Sequence, residues 1–157
     1  AERHDIVFGG GMMGGGLMEG MMSEAMSGGM MEGMMGGGMM EGMMGGMADG
    51  KIWTINGVSM TGQLHTPFLT LRRGGSYVLA MRNSTFFHHP IHFHGHAFRV
   101  LSRNGEPTVH REWRDTVLMA PNERVEIAFV ADNPGDWMIH CHILEHLAAG
   151  MMGTIRV

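Results

Sequence analysis

The chain has 157 residues, 44% of them hydrophobic, and a formal net charge of −4. Its eleven Lys and Arg residues form no stripe able to neutralise a run of phosphates, so no nucleic-acid partner is expected. No apolar run approaches the roughly 20 residues of a membrane span, and a soluble chain is expected. Any export signal is expected upstream, because Ala1-Glu2-Arg3 lacks the basic-then-apolar pattern of one.

Residues 5–8 read as a short strand, after which the composition changes abruptly. Residues 9–50 hold 15 of the 21 methionines and 17 of the 26 glycines. Within them Leu17–Met22 is followed by two copies of MMEGMM, at 30–35 and 39–44. Each glycine costs a helix about 1 kcal/mol relative to alanine, so a flexible loop is expected. Apolar structure resumes at 51–55, which makes the tract an insertion within a single domain 1–157 whose core is 51–157. Further β-rich runs are expected at 67–71, 76–82, 97–102, 114–120, 123–130, 136–141 and 153–157. Asn56-Gly57, Gly74-Gly75, Asn104-Gly105, Pro121-Asn122 and Asn133-Pro134-Gly135 punctuate them as turns. In 123–130, Val125, Ile127 and Phe129 alternate with Arg124 and Glu126, the period of a half-buried strand. The pattern predicts an all-β antiparallel sandwich or barrel, with one short helical piece at His142–Ala149.

Two clusters hold eight of the eleven histidines: His88-His89-Pro90-Ile91-His92-Phe93-His94-Gly95-His96, and His140-Cys141-His142 with His146 and then Met151. Strand parity puts His92 and His94 on one face and His89 on the other. It likewise sets His140 and His142 against Cys141. Two such strands side by side present four imidazoles on one face, and His89 with Cys141 on the opposite one. His146 and Met151 lie beyond the strand, where a loop can fold back to complete the Cys141 face. Two imidazoles, a thiolate and a weak axial thioether form an electron-transfer copper set. Zinc, the rival for a Cys/His site, usually takes paired CxxC and HxxxH ligands. The four-imidazole face suits copper that binds dioxygen.

HPIHFHGH and HCHILEHLAAGMM resemble the C-terminal signatures of the multicopper oxidases, a family that includes laccases, bacterial cuprous oxidases and copper-resistance oxidases. Trp113–Val117 and Asn133–Trp137 are also similar to that family's domain. The resemblance implies a cupredoxin Greek-key barrel, with type-1 ligands His89, Cys141, His146 and Met151. It implies a type-2 ligand at His92 and type-3 ligands at His94, His140 and His142, with Cys141, His140 and His142 carrying electrons between the centres. The implied activity is one-electron oxidation of Cu(I) or a small aromatic reductant, coupled to reduction of dioxygen to water. The family's trinuclear cluster takes four HxH pairs and this chain has two. The others are therefore expected from an N-terminal cupredoxin domain of the same parent protein or from another subunit, with the chain itself a fragment. A periplasmic or otherwise extracytoplasmic place follows from the same resemblance.

Some positions depart from the family pattern. Leu147 stands where bacterial cuprous oxidases often carry an acid after the second type-1 histidine. Ser84-Thr85-Phe86-Phe87-His88 lacks the aspartate and methionine that some of them place before the first. His4, His65, His88, His96 and His110 are read as surface or supporting residues. Trp53, Trp113 and Trp137 are read as packing residues, and Asp115 and Asp136 as either acids near copper or turn and strand-end residues. The Met/Glu repeats gain a copper-handling reading from this setting, since thioethers prefer Cu(I). The alternative to an oxidase is a blue-copper electron-transfer or copper-sequestering module. A copper nitrite reductase fits less well, having no need of histidines on both sides of Cys141.

Overall fold

The computed structural model describes residues 1–11, 52–60 and 66–157. The Met/Gly repeats, the flexibility expected of them and His65 lie outside the described residues. Among the described residues there are twelve strands and one short helix: β1 (Glu2–Gly10), β2 (Trp53–Ile55), β3 (Leu69–Thr70), β4 (Ser76–Asn83), β5 (His89–Phe93), β6 (Phe98–Arg103), β7 (Glu106–Pro107), β8 (Trp113–Arg114), β9 (Thr116–Met119), β10 (Arg124–Val130), β11 (Asp136–Cys141), α1 (Leu144–Ala148) and β12 (Met152–Arg156). They form two sheets. One runs β2-β1-β4-β10-β6-β7 with β8 paired to β6, and the other runs β3-β12-β11-β5-β9. The chain changes sheet at most connections, which gives the all-β, cupredoxin-like sandwich expected.

Alternation drives the assembly. Along β4 and β10 every second side chain is buried, so Tyr77, Leu79, Met81, Val125, Ile127 and Phe129 face inward. Ile91, Phe93, Ile139 and Ile155 of the second sheet meet them in one core. Burying each such side chain contributes about 1.5–3 kcal/mol. The Asn-Gly turns behave as read: Asn56 and Gly57 have φ of 49° and 78°, and Asn104 and Gly105 have 49° and 86°. Positive φ at both central residues is what a two-residue hairpin requires.

Several expected bounds are corrected. The 5–8 strand extends over Glu2–Gly10, because Glu2–Phe8 pair in parallel with Tyr77–Asn83 of β4. The 67–71 run shortens to Leu69–Thr70. The 114–120 run divides at Asp115, with β8 joining β6 of one sheet and β9 joining β5 of the other. His89–Phe93, absent from the expected runs, is a full strand; Pro90 and two histidines hide its apolar alternation. The helix contracts to Leu144–Ala148.

Candidate metal centre

Strand β11 is paired on one side with β12 and on the other with β5, placing His140 opposite His92 and Cys141 opposite Ile91. The parity read from sequence therefore operates across two bonded strands. His89 and Cys141 turn into the core, both fully buried, while His92, His94, His140 and His142 gather on the other side.

On the core side His146 swings in from α1. His89 Nδ1 and His146 Nδ1 each stand 3.6 Å from Cys141 Sγ and 3.1 Å from one another. A triangle of those sides has its centre about 2.0 Å from every corner, the length of a bond from a transition metal to these donors. Met151 is fully buried beside it. Its N–H donates to the His146 carbonyl at 2.9 Å and its carbonyl accepts the Cys141 N–H at 3.1 Å, so the backbone ties the fourth expected ligand to two of the others. Burial holds His89 down to about 4, aided by His146 and His88, and lowers His146 as well. Both imidazoles are thus neutral near pH 7, the form that ligates a metal. Burial pushes the Cys141 thiol up, so a metal bound there must displace its proton. The donor set and the spacing fit copper.

On the other side His94 Nε2 and His140 Nε2 lie 3.0 Å apart. The His92 ring centre is 4.7 Å from His94, 5.6 Å from His140 and 5.1 Å from His142, and the His140 and His142 rings stack at 10°. His92 Nδ1 is 2.9 Å from the Asp115 carbonyl, and His140 Nδ1 is 2.9 Å from the Cys141 carbonyl. A carbonyl only accepts, so both rings carry hydrogen on Nδ1, which leaves Nε2 as the nitrogen able to ligate a metal. Asp115 thus acts through its backbone, its carboxylate lying 4.0 Å away. That carbonyl also receives the Phe93 N–H, at the point where the chain changes sheet. Burial, then the neighbouring imidazoles, lowers His94.

Gly95 follows His94 with φ of +73°, and the Trp137 ring lies where a Cβ would stand, 2.3 Å from its ideal position. Only glycine fits this corner. Trp137 is itself held by its Nε1–H to the Asn133 carbonyl at 2.9 Å, and Asn133 Nδ2 donates to the Gly95 carbonyl at 3.1 Å.

A family model described as multicopper oxidase matches residues 37–157. The chain belongs to the multicopper oxidase family. It is 42% identical over 101 residues to multicopper oxidase MmcO of Mycobacterium tuberculosis, covering 63% of this chain and 18% of that protein. With multicopper oxidase mco of Staphylococcus epidermidis it shares 46% over 71 residues, 44% of this chain and 16% of the relative. Among solved structures, the Campylobacter jejuni multicopper oxidase described as a metallo-oxidase superposes at a TM-score of 0.73 with 30% identity, covering all of this chain and 30% of that one. McoA of Aquifex aeolicus gives 0.67 at 26% identity, covering all of this chain and 29% of its own. The chain thus spans less than a fifth of those two curated relatives.

The remaining expectations fall out unevenly. His88 and His110 are exposed, whereas His96 is buried and stacked on Phe93 at 5.1 Å, a packed position rather than a surface one. Trp113 is exposed beneath Arg99, 4.6 Å from its ring. Trp53 lies against both core-side imidazoles, 5.1 Å from His89 and 4.3 Å from His146. No local signal marks Trp53 as a neighbour of this site, which lies 36 or more residues along the chain. Asp136 pairs with Arg156 at the far end of β11.

Proposed function

We propose that this chain is the C-terminal copper-bearing domain of a larger multicopper oxidase, with His89, Cys141, His146 and Met151 holding a type-1 copper. In the same proposal His92, His94, His140 and His142 supply half of the ligands of a trinuclear cluster that another domain or subunit completes. The observation that carries it is the position of Cys141 between His140 and His142, with the three side chains drawn into two separate donor groups on opposite sides of one strand. Copper at these positions supplies one-electron redox chemistry and dioxygen binding. His89 and Cys141 shield the inner site within the core, while His146 reaches it from the edge beside Trp53 and the half-exposed Phe87, offering a reductant the shortest approach. The peptide bonds joining Cys141 to His140 and His142 give electrons a covalent path between the two groups. An electron carrier or copper store has no use for the four outer imidazoles, which tells against the module reading.

Cu(I) is the proposed substrate, with small aromatic reductants as the alternative, in an extracytoplasmic setting and in the service of copper resistance. The support is the thioether-rich sequence between β1 and β2, whose flanks Gly11 and Ile52 are joined by a 3.0 Å hydrogen bond beside Trp53. The test is copper stoichiometry with an absorption spectrum. Full-length protein should hold four coppers and consume oxygen, and this chain alone should hold one blue copper and reduce little oxygen. Robust four-electron turnover by the monomeric chain would show that the outer histidines need no partner.

A further inference from the structure

Ahead of β5 the chain loops around one buried amide. Asn83 ends β4 with no solvent exposure, and Thr85 is 1% exposed. Asn83 Nδ2 donates to the carbonyl of Phe87 at 2.7 Å and to that of Ala120 at 2.8 Å. Carbonyls only accept, so both amide hydrogens are committed and the orientation of the group is fixed. Its Oδ1 accepts the Thr85 N–H at 3.0 Å and stands 2.8 Å from Thr85 Oγ1. An amide oxygen has no hydrogen, so the Thr85 hydroxyl donates across that contact. The opposite arrangement sets lone pairs against each other in a buried place, which is unfavourable.

A hydroxyl has one hydrogen and two lone pairs. With the hydrogen given to Asn83, one lone pair takes the Phe87 N–H at 3.2 Å and the other faces His89 Nε2 at 2.7 Å. His89 therefore carries its hydrogen on Nε2 and a bare lone pair on Nδ1, the atom that faces Cys141 Sγ and His146 Nδ1. The same amide reaches through Ala120 to the end of β9, which pairs with β5 at His89 and Met119.

We propose that Asn83 and Thr85 are positioning residues that lock His89, before any metal arrives, in the tautomer whose Nδ1 is turned toward Cys141 and His146. The role assigned to that tautomer rests on the type-1 reading above, whereas the tautomer itself is a property of the metal-free protein. His146 is held differently: its Nε2 makes no hydrogen bond among the described residues. Partners on the second nitrogen of a metal-binding imidazole commonly change metal affinity 10–100-fold.

The experiment uses the metal-free 157-residue chain, labelled with nitrogen-15, and long-range proton–nitrogen correlation spectra of His89. The expected result is hydrogen on Nε2 alone. Hydrogen on Nδ1, or an even mixture, overturns the proposal on the wild-type protein, so the test survives a variant that does not fold. Thr85→Val, of similar shape but without the hydroxyl, should mix the tautomers and weaken Cu(II) binding about tenfold or more. Thr85→Ser should restore both. An unmixed tautomer together with unchanged Cu(II) affinity in Thr85→Val overturns the assignment. A wild-type chain with the expected tautomer but no intense visible band on adding Cu(II) fails at the type-1 reading instead, and the role given to the pair falls with it.

Discussion

The two sides of β11 carry donor groups of opposite character. Inside the sandwich, His89, Cys141 and His146 converge in a buried triangle with Met151 beside them, every donor coming from this chain. One peptide away, His92, His94, His140 and His142 crowd the outer side of the same sheet, with His142 exposed. Both rely on strand parity, yet only the inner group is closed by the fold. Burial supplies the inner group with a low-dielectric wall and neutral imidazoles, while the outer group opens toward solvent at His142.

The sharpest way to break that contrast is Cys141→Ser. It should abolish the intense visible band of the copper-loaded chain entirely while far-ultraviolet circular dichroism stays unchanged, since one small side chain contributes little packing. A surviving band would remove Cys141 from the site. The reciprocal change is Gly95→Ala, which forces a Cβ into the Trp137 ring at positive φ and should cost about 1–3 kcal/mol in chemical denaturation. It should displace His94 and leave the inner band in place, so loss of the blue colour would mean that the two sides are not separable. Met151→Leu should keep the colour and raise the reduction potential, with a stability change under about 1.5 kcal/mol because volume is conserved. A lowered potential by redox titration would count against Met151 as axial donor.

The smallest expected effect lies at the far end of β11. Arg156 hydrogen-bonds Asp136 at 2.7 and 2.8 Å and holds its carboxyl below the ordinary value of 3.8. A depressed carboxyl stabilises the fold above its ordinary value and loses that contribution as pH falls through the lower, folded one. Asp136→Asn should flatten this slight acid-side decline in melting temperature without altering either metal group. A change in the blue band would show that the strand end is coupled to Cys141.

Sequence carried the parts of this contrast that are local. The alternation in His89–His94 and His140–His142 assigns faces without knowledge of the partner strand, because a strand's period of two is built into its backbone. The supporting shell was not local. Asn83 reaches Ala120, 37 residues on, and Trp137 closes over Gly95, so neither relation leaves a mark in the neighbouring residues. The Ser84–His88 segment read only as lacking an aspartate and a methionine, while its Thr85 hydroxyl faces His89 and is itself held by the Asn83 amide. The strand at His89–Phe93 was missing from the apolar runs because two histidines and Pro90 hold three of its five places. The division at Asp115 was equally hidden, since a change of sheet in mid-run needs no glycine or proline.

The pairing of β1 with β2 has a consequence for design. Gly10 lies opposite Trp53, and the Gly11 N–H meets the Ile52 carbonyl, so the chain leaves and re-enters the sandwich at one clasped point. Ends held this close can be joined by flexible peptides of many lengths, since each doubling of a flexible loop costs only about 0.6 kcal/mol. The clasp is a socket: peptides of other lengths and ligand chemistries can be grafted there, beside the His146 edge, with the scaffold left as it is.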